Sequence, residues 1–121
     1  MKTQFDEIMK EPEGYDPGPD FIKPNKFTKE ELPIAEFIQK RRLQILVHSY
    51  IYYEMDYNII SDKQYDEWSK ELVIFQNKNP EIASRICYPF SFADFDGTTG
   101  FNLPKDAWVK KKAMQLYNYK K

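Results

Sequence analysis

The feature that most constrains the fold is a helix start signal in the middle of the chain. The sequence S-D-K-Q at residues 61–64 has the form of a capping box, in which the serine hydroxyl satisfies a backbone donor of the first helical turn. Large side chains then recur at helical spacing, at Tyr65, Trp68, Leu72 and Phe75. The pattern predicts a helix over residues 61–78.

A second capping box, T-K-E-E at residues 28–31, precedes another periodic segment. Pro33 suits the first turn of a helix, and an apolar stripe follows at Ile34, Phe37, Ile38, Ile45 and Leu46. Residues 56–60 break the periodicity. We therefore expect a helix over 32–55, a short loop, and a helical hairpin formed with 61–78.

The rest of the chain is less regular. Residues 11–26 contain four prolines and two glycines, which predicts an irregular arm over 1–27, outside a single helical domain at 28–121. Residues 88–102 are rich in aromatic side chains without a helical repeat and are expected to form a loop or a small hairpin. Pro104 suits the start of a C-terminal helix over 104–118. The predicted fold class is mainly α.

The composition bears on the number of domains and on the cellular location. A chain of 121 residues with 41% hydrophobic and 17% aromatic side chains is expected to fold as one domain. It has no apolar run long enough for a membrane span and no apolar centre of a signal peptide near its N-terminus. The single cysteine, Cys87, cannot form an internal disulfide. These features predict a cytoplasmic protein that does not contact membranes.

The charge is unevenly distributed along the chain. Residues 1–20 carry six acids against two lysines, whereas residues 101–121 carry six lysines against one acid. The two ends could pair with each other, or the lysine-rich C-terminus could form a solvated helix face. A contact of this C-terminus with nucleic acid or an acidic partner is the remaining alternative.

Tyrosines and aspartates cluster at the corner expected between the two helices. They are Tyr52, Tyr53, Asp62, Tyr65 and Asp66. Tyrosine ring faces attract planar cations, and ionised aspartates accept hydrogen bonds from ribose hydroxyls or amide NH groups. The group therefore predicts a site for a nucleoside-like cationic ligand. Alternatively, Tyr50, Tyr53, Trp68 and Phe75 are core residues, and Asp62 is a favourable charge at a helix N-terminus.

The segment from residue 45 to residue 82 resembles domain Ia, the small N-terminal helical domain of bacterial NAD-dependent DNA ligases. Matching residues stand at the family's spacing: Tyr50, Tyr52, Tyr53, Asp56, Ile60, Ser61, Asp62, Tyr65, Asp66, Glu71, Leu72, Pro80 and Glu81. Three positions depart from the family pattern, since Asn58 replaces a proline, Gln64 an acidic residue and Trp68 a leucine.

The resemblance implies a site for the nicotinamide mononucleotide (NMN) half of NAD. Tyr52 and Tyr65 would sandwich the nicotinamide ring, and Asp62 and Asp66 would contact its amide and the ribose. Tyr53 would contact the same nucleotide. NMN or NAD is thus the expected ligand, and no metal is expected.

Catalytic alternatives find little support in the sequence. The ligase nucleophile is the lysine of a K-x-D-G motif, but D-F-D-G at residues 94–97 has Asp94 in the place of that lysine. We therefore expect no catalysis by this chain alone. The same stretch also resembles D-x-D-G-T of haloacid-dehalogenase-like phosphotransferases, but a turn is the favoured interpretation, and a partner-binding loop is the second possibility. Cys87 with His48 could form a catalytic pair, but a buried thiol is the default expectation.

Two functions remain from the sequence. The first is a stand-alone NMN- or NAD-binding module that serves a separately encoded ligase adenylation domain or another NAD-using host protein. The second is a protein-protein interaction or counter-defence protein that keeps the fold without binding nucleotide. The resemblance further implies an accessory protein encoded by a bacteriophage, which would act in the host cytoplasm.

Overall fold

The computed structural model describes residues 20–98 and 100–120, and this part of the chain is helical without any strand. A short 3-10 turn at Pro24–Lys26 precedes five α-helices. The helices are α1 (Leu32–Glu54), α2 (Asp62–Lys78), α3 (Pro80–Ala83), α4 (Pro89–Ala93) and α5 (Ala107–Lys120). The mainly α fold class is confirmed, and the first two helices match their predicted bounds to within one residue.

Capping side chains determine where the two long helices begin. The Thr28 amide donates to Glu31 Oε1 at 2.9 Å, and the Glu31 amide donates to Thr28 Oγ1 at 3.1 Å, which is the reciprocal arrangement of a capping box. Before α2, Ser61 Oγ accepts from the Gln64 amide at 3.0 Å. Both helix start signals in the sequence are therefore confirmed.

Asp56 turns the chain between the two helices. It has φ 52°, in the left-handed region that aspartate tolerates better than most residues. The Tyr57 amide donates back to the Ile51 carbonyl at 3.2 Å, which satisfies an acceptor at the C-terminus of α1. After this turn, residues 57–61 cross the end of α1 and lead into α2. They form the predicted corner between the two helices.

Helix α1 lies at the centre of the core and packs against both α2 and α5. Its buried side chains Ile38, Ile45 and Leu46 meet Leu72 of α2 and Val109 of α5, and all of these are fully buried. A smaller cluster of Val47, Ile51 and Ala113 continues the contact between α1 and α5. The predicted apolar stripes of the three helices thus meet around α1.

Arg42 of α1 is buried among these apolar residues, with 2% of its surface exposed. Its guanidinium donates to Gln76 Oε1 at 2.8 Å and to the carbonyls of Ala83, Ile86 and Cys87 at 3.0–3.1 Å. Burial lowers the pKa of Arg42 to about 10, so the side chain is still charged at neutral pH. One side chain therefore joins α1 to α2, to α3 and to the segment after α3.

Of the two expectations for residues 88–102, the small hairpin is wrong, and the described residues there form a loop that contains one helical turn. Pro89 begins the one-turn helix α4. Tyr88, the residue before it, has φ 61°, in the left-handed region. Phe92 of α4 is 1% exposed, and the Arg42 guanidinium lies over its ring at 5.2 Å.

The C-terminal helix begins three residues later than predicted and ends two residues later. Asp106 caps it, because Asp106 Oδ1 accepts from the Val109 amide at 2.8 Å. Its other oxygen accepts from the Tyr88 hydroxyl at 2.6 Å, which connects the start of α5 to the start of α4. Pro104 lies before the helix rather than at its first turn.

The predicted arm at 1–27 is described from residue 20 onward, and residues 1–19 lie outside the described part. The Ile22 amide donates to Gln39 Oε1 of α1 at 2.8 Å, and Phe21 contacts Trp108 of α5 edge-on at 6.0 Å. Apart from the short 3-10 turn this segment is irregular, as predicted. None of the described helices combines the length and apolar content that crossing a bilayer requires.

Replacing Arg42 should destabilise the fold strongly. Arg42→Ala leaves three buried carbonyls and the Gln76 side chain without their donor and opens a cavity, so we expect a loss of about 3 kcal/mol or more in the free energy of unfolding. Urea denaturation followed by circular dichroism measures this loss. The matched control is Arg85→Ala, which removes ion pairs of a partly exposed guanidinium and should cost about 1 kcal/mol or less. Equal losses in the two variants would contradict a central role for Arg42.

Candidate functional site

A cavity of about 280 Å³ lies at the corner between α1 and α2, close to the lower end of the size range of small-molecule sites. All five residues predicted from the sequence line it. They are Tyr52 and Tyr53 from the last turn of α1, and Asp62, Tyr65 and Asp66 from the start of α2. The remaining lining residues are His48, Tyr57, Asn58, Ile59, Ile60, Ser61, Gly97 and Thr98.

The start of α2 presents its three site residues on one face. Asp62, Tyr65 and Asp66 stand at positions i, i+3 and i+4, which are neighbours on a helix surface. Ser61 fixes the start of this helix through its hydrogen bond with the Gln64 amide. The capping signal thus also positions the two carboxylates and the ring between them.

Tyr65 is the most firmly held of the tyrosines in the site. Its hydroxyl lies 2.6 Å from Ser49 Oγ of α1, and its ring packs against the hydrophobic core. Burial raises the pKa of Tyr65, so the phenol keeps its proton at neutral pH. The ring is therefore fixed between the two helices with one side on the cavity.

Tyr52 and Tyr53 are more exposed, with 48% and 38% of their surfaces accessible. Their rings meet edge to face at 4.8 Å between centroids. The Tyr53 ring also stacks on Phe101 at 5.3 Å with 25° between the planes. Phe101 thus supports Tyr53, while Tyr52 keeps much of its ring accessible for contact with a planar ligand.

The two carboxylates of the cavity differ in their partners. Asp66 pairs with Lys70 one turn further along α2, at 3.0 Å. Asp62 has no ion pair within 4.0 Å among the residues that the structure describes. Asp62 therefore presents an uncompensated negative charge, and both side chains offer hydrogen-bond acceptors.

His48 lines the same cavity, although the sequence analysis considered it only as a partner for Cys87. Burial lowers the pKa of His48, so its imidazole is neutral at pH 7. The ring contacts Trp68 edge-on at 5.6 Å. The signal that could have identified it is its position four residues before Tyr52, on the same face of α1.

A turn from the second half of the chain forms another wall of the cavity. Asp96 Oδ1 accepts from the Thr98 amide at 3.0 Å and from Thr98 Oγ1 at 2.6 Å. These hydrogen bonds lower the pKa of Asp96. Gly97 has φ 85°, and a Cβ there would lie 3.4 Å from the Ser69 carbonyl oxygen of α2. The D-G-T stretch is thus a tight turn packed on α2, as its turn interpretation predicted.

Gly100 closes the space behind Tyr65. A Cβ at this buried position would overlap with Ser49 Oγ and the Tyr65 hydroxyl. Only glycine allows the backbone to pass over the hydrogen bond between these two side chains. The Ser49–Tyr65 hydrogen bond and the loop at residue 100 can therefore coexist because this residue is glycine.

The other candidate residues lie outside the cavity. Tyr50, Trp68 and Phe75 pack against the core, as the alternative interpretation held, whereas Tyr53 faces the cavity. Cys87 is 5% exposed, and burial raises the pKa of its thiol to about 11, which favours the unreactive protonated form.

The cavity contains only part of the phosphotransferase motif, Gly97 and Thr98, without its nucleophile position. Asp94, the nucleophile position of that motif, is exposed after α4 and does not line the cavity. Within residues 20–98 and 100–120, no three His, Cys, Asp or Glu side chains are grouped so that they could hold a metal ion.

Comparisons of the chain with protein-family models, curated proteins and solved structures give no match. The resemblance to domain Ia of the NAD-dependent ligases therefore depends on the residues of segment 45–82 and their spacing.

We predict that Gly100→Ala disturbs the cavity more than Gly97→Ala. The added methyl group at residue 100 must displace Ser49 or Tyr65, whereas at residue 97 it meets ordinary contacts and adds backbone strain of about 1–2 kcal/mol. Tyrosine fluorescence and the NMR signals of the Tyr65 ring should change clearly in Gly100→Ala and little in Gly97→Ala. Unchanged Tyr65 signals in Gly100→Ala would show that the ring is not held as described.

Proposed function

We propose that this protein is a nicotinamide-nucleotide-binding module that takes the NMN part of NAD, or NMN itself, into the cavity between α1 and α2. The observation that carries the proposal is that the five side chains predicted for such a ligand line one cavity. The cavity also has two features that suit this ligand, namely accessible aromatic rings and acidic acceptors.

The aromatic rings suit the nicotinamide. Its ring is planar and carries a positive charge in NMN and in NAD, and the faces of tyrosine rings attract such a cation. Tyr65 is held from behind by Ser49, while Tyr52 is about half exposed at the opposite helix. We propose that the nicotinamide ring is bound by these two tyrosines, with Tyr53 beside them.

The polar groups of the cavity suit the rest of the nucleoside. Asp62 and Asp66 accept hydrogen bonds, which ribose hydroxyls and the carboxamide NH₂ donate. Neutral His48 can donate or accept, and the Thr98 side chain lies on the opposite wall. Together these residues supply acceptors for the donors of a nicotinamide nucleoside.

We propose an accessory role for the bound nucleotide rather than its chemical conversion. The described residues that line the cavity include tyrosines, two acids and one histidine, and no lysine that could form an adenylate is among them. The module would act in the host cytoplasm, as a bacteriophage protein that modulates an NAD-using enzyme. A ligase adenylation domain is the partner that the resemblance favours.

Calorimetric titration with NMN and with NAD tests the proposal. We expect saturable binding of modest affinity, because so small a ligand makes few contacts. Tyr65→Ala and Asp66→Ala should each weaken binding about tenfold or more, since each removes a cation–π contact or a charge-assisted hydrogen bond.

The matched controls are Tyr119→Ala and Asp94→Ala, which change exposed residues of the same types outside the cavity. Both controls should bind like the parent, and melting temperatures confirm that all four variants fold. Absence of heat with millimolar NMN and NAD in the folded parent would refute nucleotide binding.

A second candidate function is supported by Phe90 of α4. Its side chain is 91% exposed and lies beside a groove lined by Phe92, Phe95 and Ala83. Aromatic side chains are enriched at protein interfaces, and Phe90 is the exposed one in this group, since Phe92 is buried. This observation agrees with a protein-protein interaction or counter-defence role that leaves the cavity between α1 and α2 unused.

Phe90→Ser separates the two candidates. If the protein acts through this aromatic surface, Phe90→Ser should reduce capture of a ligase adenylation domain or another NAD-using host protein in a pull-down, whereas Tyr65→Ala should not. A nucleotide-dependent partner would show the reverse pattern. Equal capture by the parent and Phe90→Ser would exclude Phe90 as an anchor.

A further inference from the structure

We infer that the cavity selects the nicotinamide riboside part of its ligand and disfavours the 5′-phosphate, so that the phosphate-free nucleoside binds more tightly than NMN. This inference rests on the proposed function, because it concerns the same cavity. It names the chemical class that the site prefers, which is a planar pyridinium nucleoside without an anionic group.

The charge of the cavity is the first argument. Its described lining contains two carboxylates, Asp62 and Asp66, and neither lysine nor arginine. His48 supplies no positive charge at neutral pH, because burial lowers its pKa. A cation is attracted to such a lining, and a phosphate is repelled by it.

Nearby lysines add no positive charge to the lining of the cavity. Lys70 already pairs with Asp66, and Lys105 donates to the Phe101 carbonyl at 2.7 Å and lies 3.7 Å from Glu54. Lys63 follows Asp62 directly, but successive residues of a helix point about 100° apart. None of these three lysines lines the cavity.

The N-terminus of α2 is partly capped already and carries an acidic side chain. Helix N-termini attract anions, because their first amides lack partners within the helix. Here Asp62 occupies the first turn, and the Gln64 amide is already bound by Ser61 Oγ. A phosphate at this position would lie against the unpaired Asp62 carboxylate.

The two ligands differ in the group that the cavity would repel. Nicotinamide riboside carries the positive ring and the ribose hydroxyls, which are the groups that the tyrosines and aspartates suit. NMN adds a phosphate with a charge of about −1.5 to −2 at pH 7. At about 8 Å from one or two carboxylates in water, this charge weakens binding about five- to twentyfold at low salt.

Parallel titrations with nicotinamide riboside and NMN test the inference, with the ratio of their dissociation constants as the readout. At about 10 mM ionic strength we expect the riboside to bind about five- to twentyfold more tightly than NMN. The ratio should fall below about twofold at about 0.5 M salt, because screening removes the repulsion. At low salt, Asp62→Asn should also lower the ratio of the two dissociation constants, whereas the control Asp94→Asn should leave this ratio unchanged.

The possible failures are distinguishable. If NMN binds as tightly as the riboside or more tightly at low salt, the inference is wrong, while the proposed nicotinamide site stands. The inference is also refuted if the ratio of dissociation constants changes neither with salt nor in Asp62→Asn, because the preference for the riboside would then have another origin. If neither ligand binds to the folded parent, the proposed function and the inference both fail.

Discussion

The buried guanidinium of Arg42 is the interaction on which the rest of this structure depends. A charge inside an apolar core is unfavourable unless its donors are satisfied, and here it donates to four acceptors from three parts of the chain. Among the described residues, no carboxylate lies within ion-pair distance of it. The partners are instead Gln76 and three backbone carbonyls. Arg42 therefore connects segments of the backbone and does not neutralise a buried carboxylate.

This arrangement bears directly on the candidate site. The carbonyls that Arg42 binds belong to the last residue of α3 and to the segment after it, and Gln76 also donates to the Phe92 carbonyl of α4 at 3.4 Å. The chain that leaves α4 returns over α2, where the turn at residues 96–98 packs on Ser69 and lines the cavity. The Arg42 network at Gln76 and the turn packed on Ser69 thus lie on the same face of α2, about two helical turns apart.

The site itself combines a fixed part and an accessible part. Tyr65 is held by Ser49 and by the close passage of Gly100, while Tyr52 has about half of its surface exposed. A ring fixed in advance costs less entropy when a planar ligand binds against it. The unpaired Asp62 gives the cavity its negative sign. Shape and charge therefore favour the same kind of ligand, a flat cation with hydrogen-bond donors.

Local signals in the sequence predict the two long helices and five residues of the cavity. Capping boxes and helical spacing set the helices, and Tyr52 to Asp66 lie within one helix-turn-helix segment. The distant part of the site and the burial of Arg42 follow only from the folded chain. Gly97 and Thr98 line the cavity from some thirty residues downstream, and Gly100 packs behind Tyr65, through contacts that no local pattern encodes. An arginine in a helix is expected at the surface, and its burial depends on carbonyls that only the folded chain brings together.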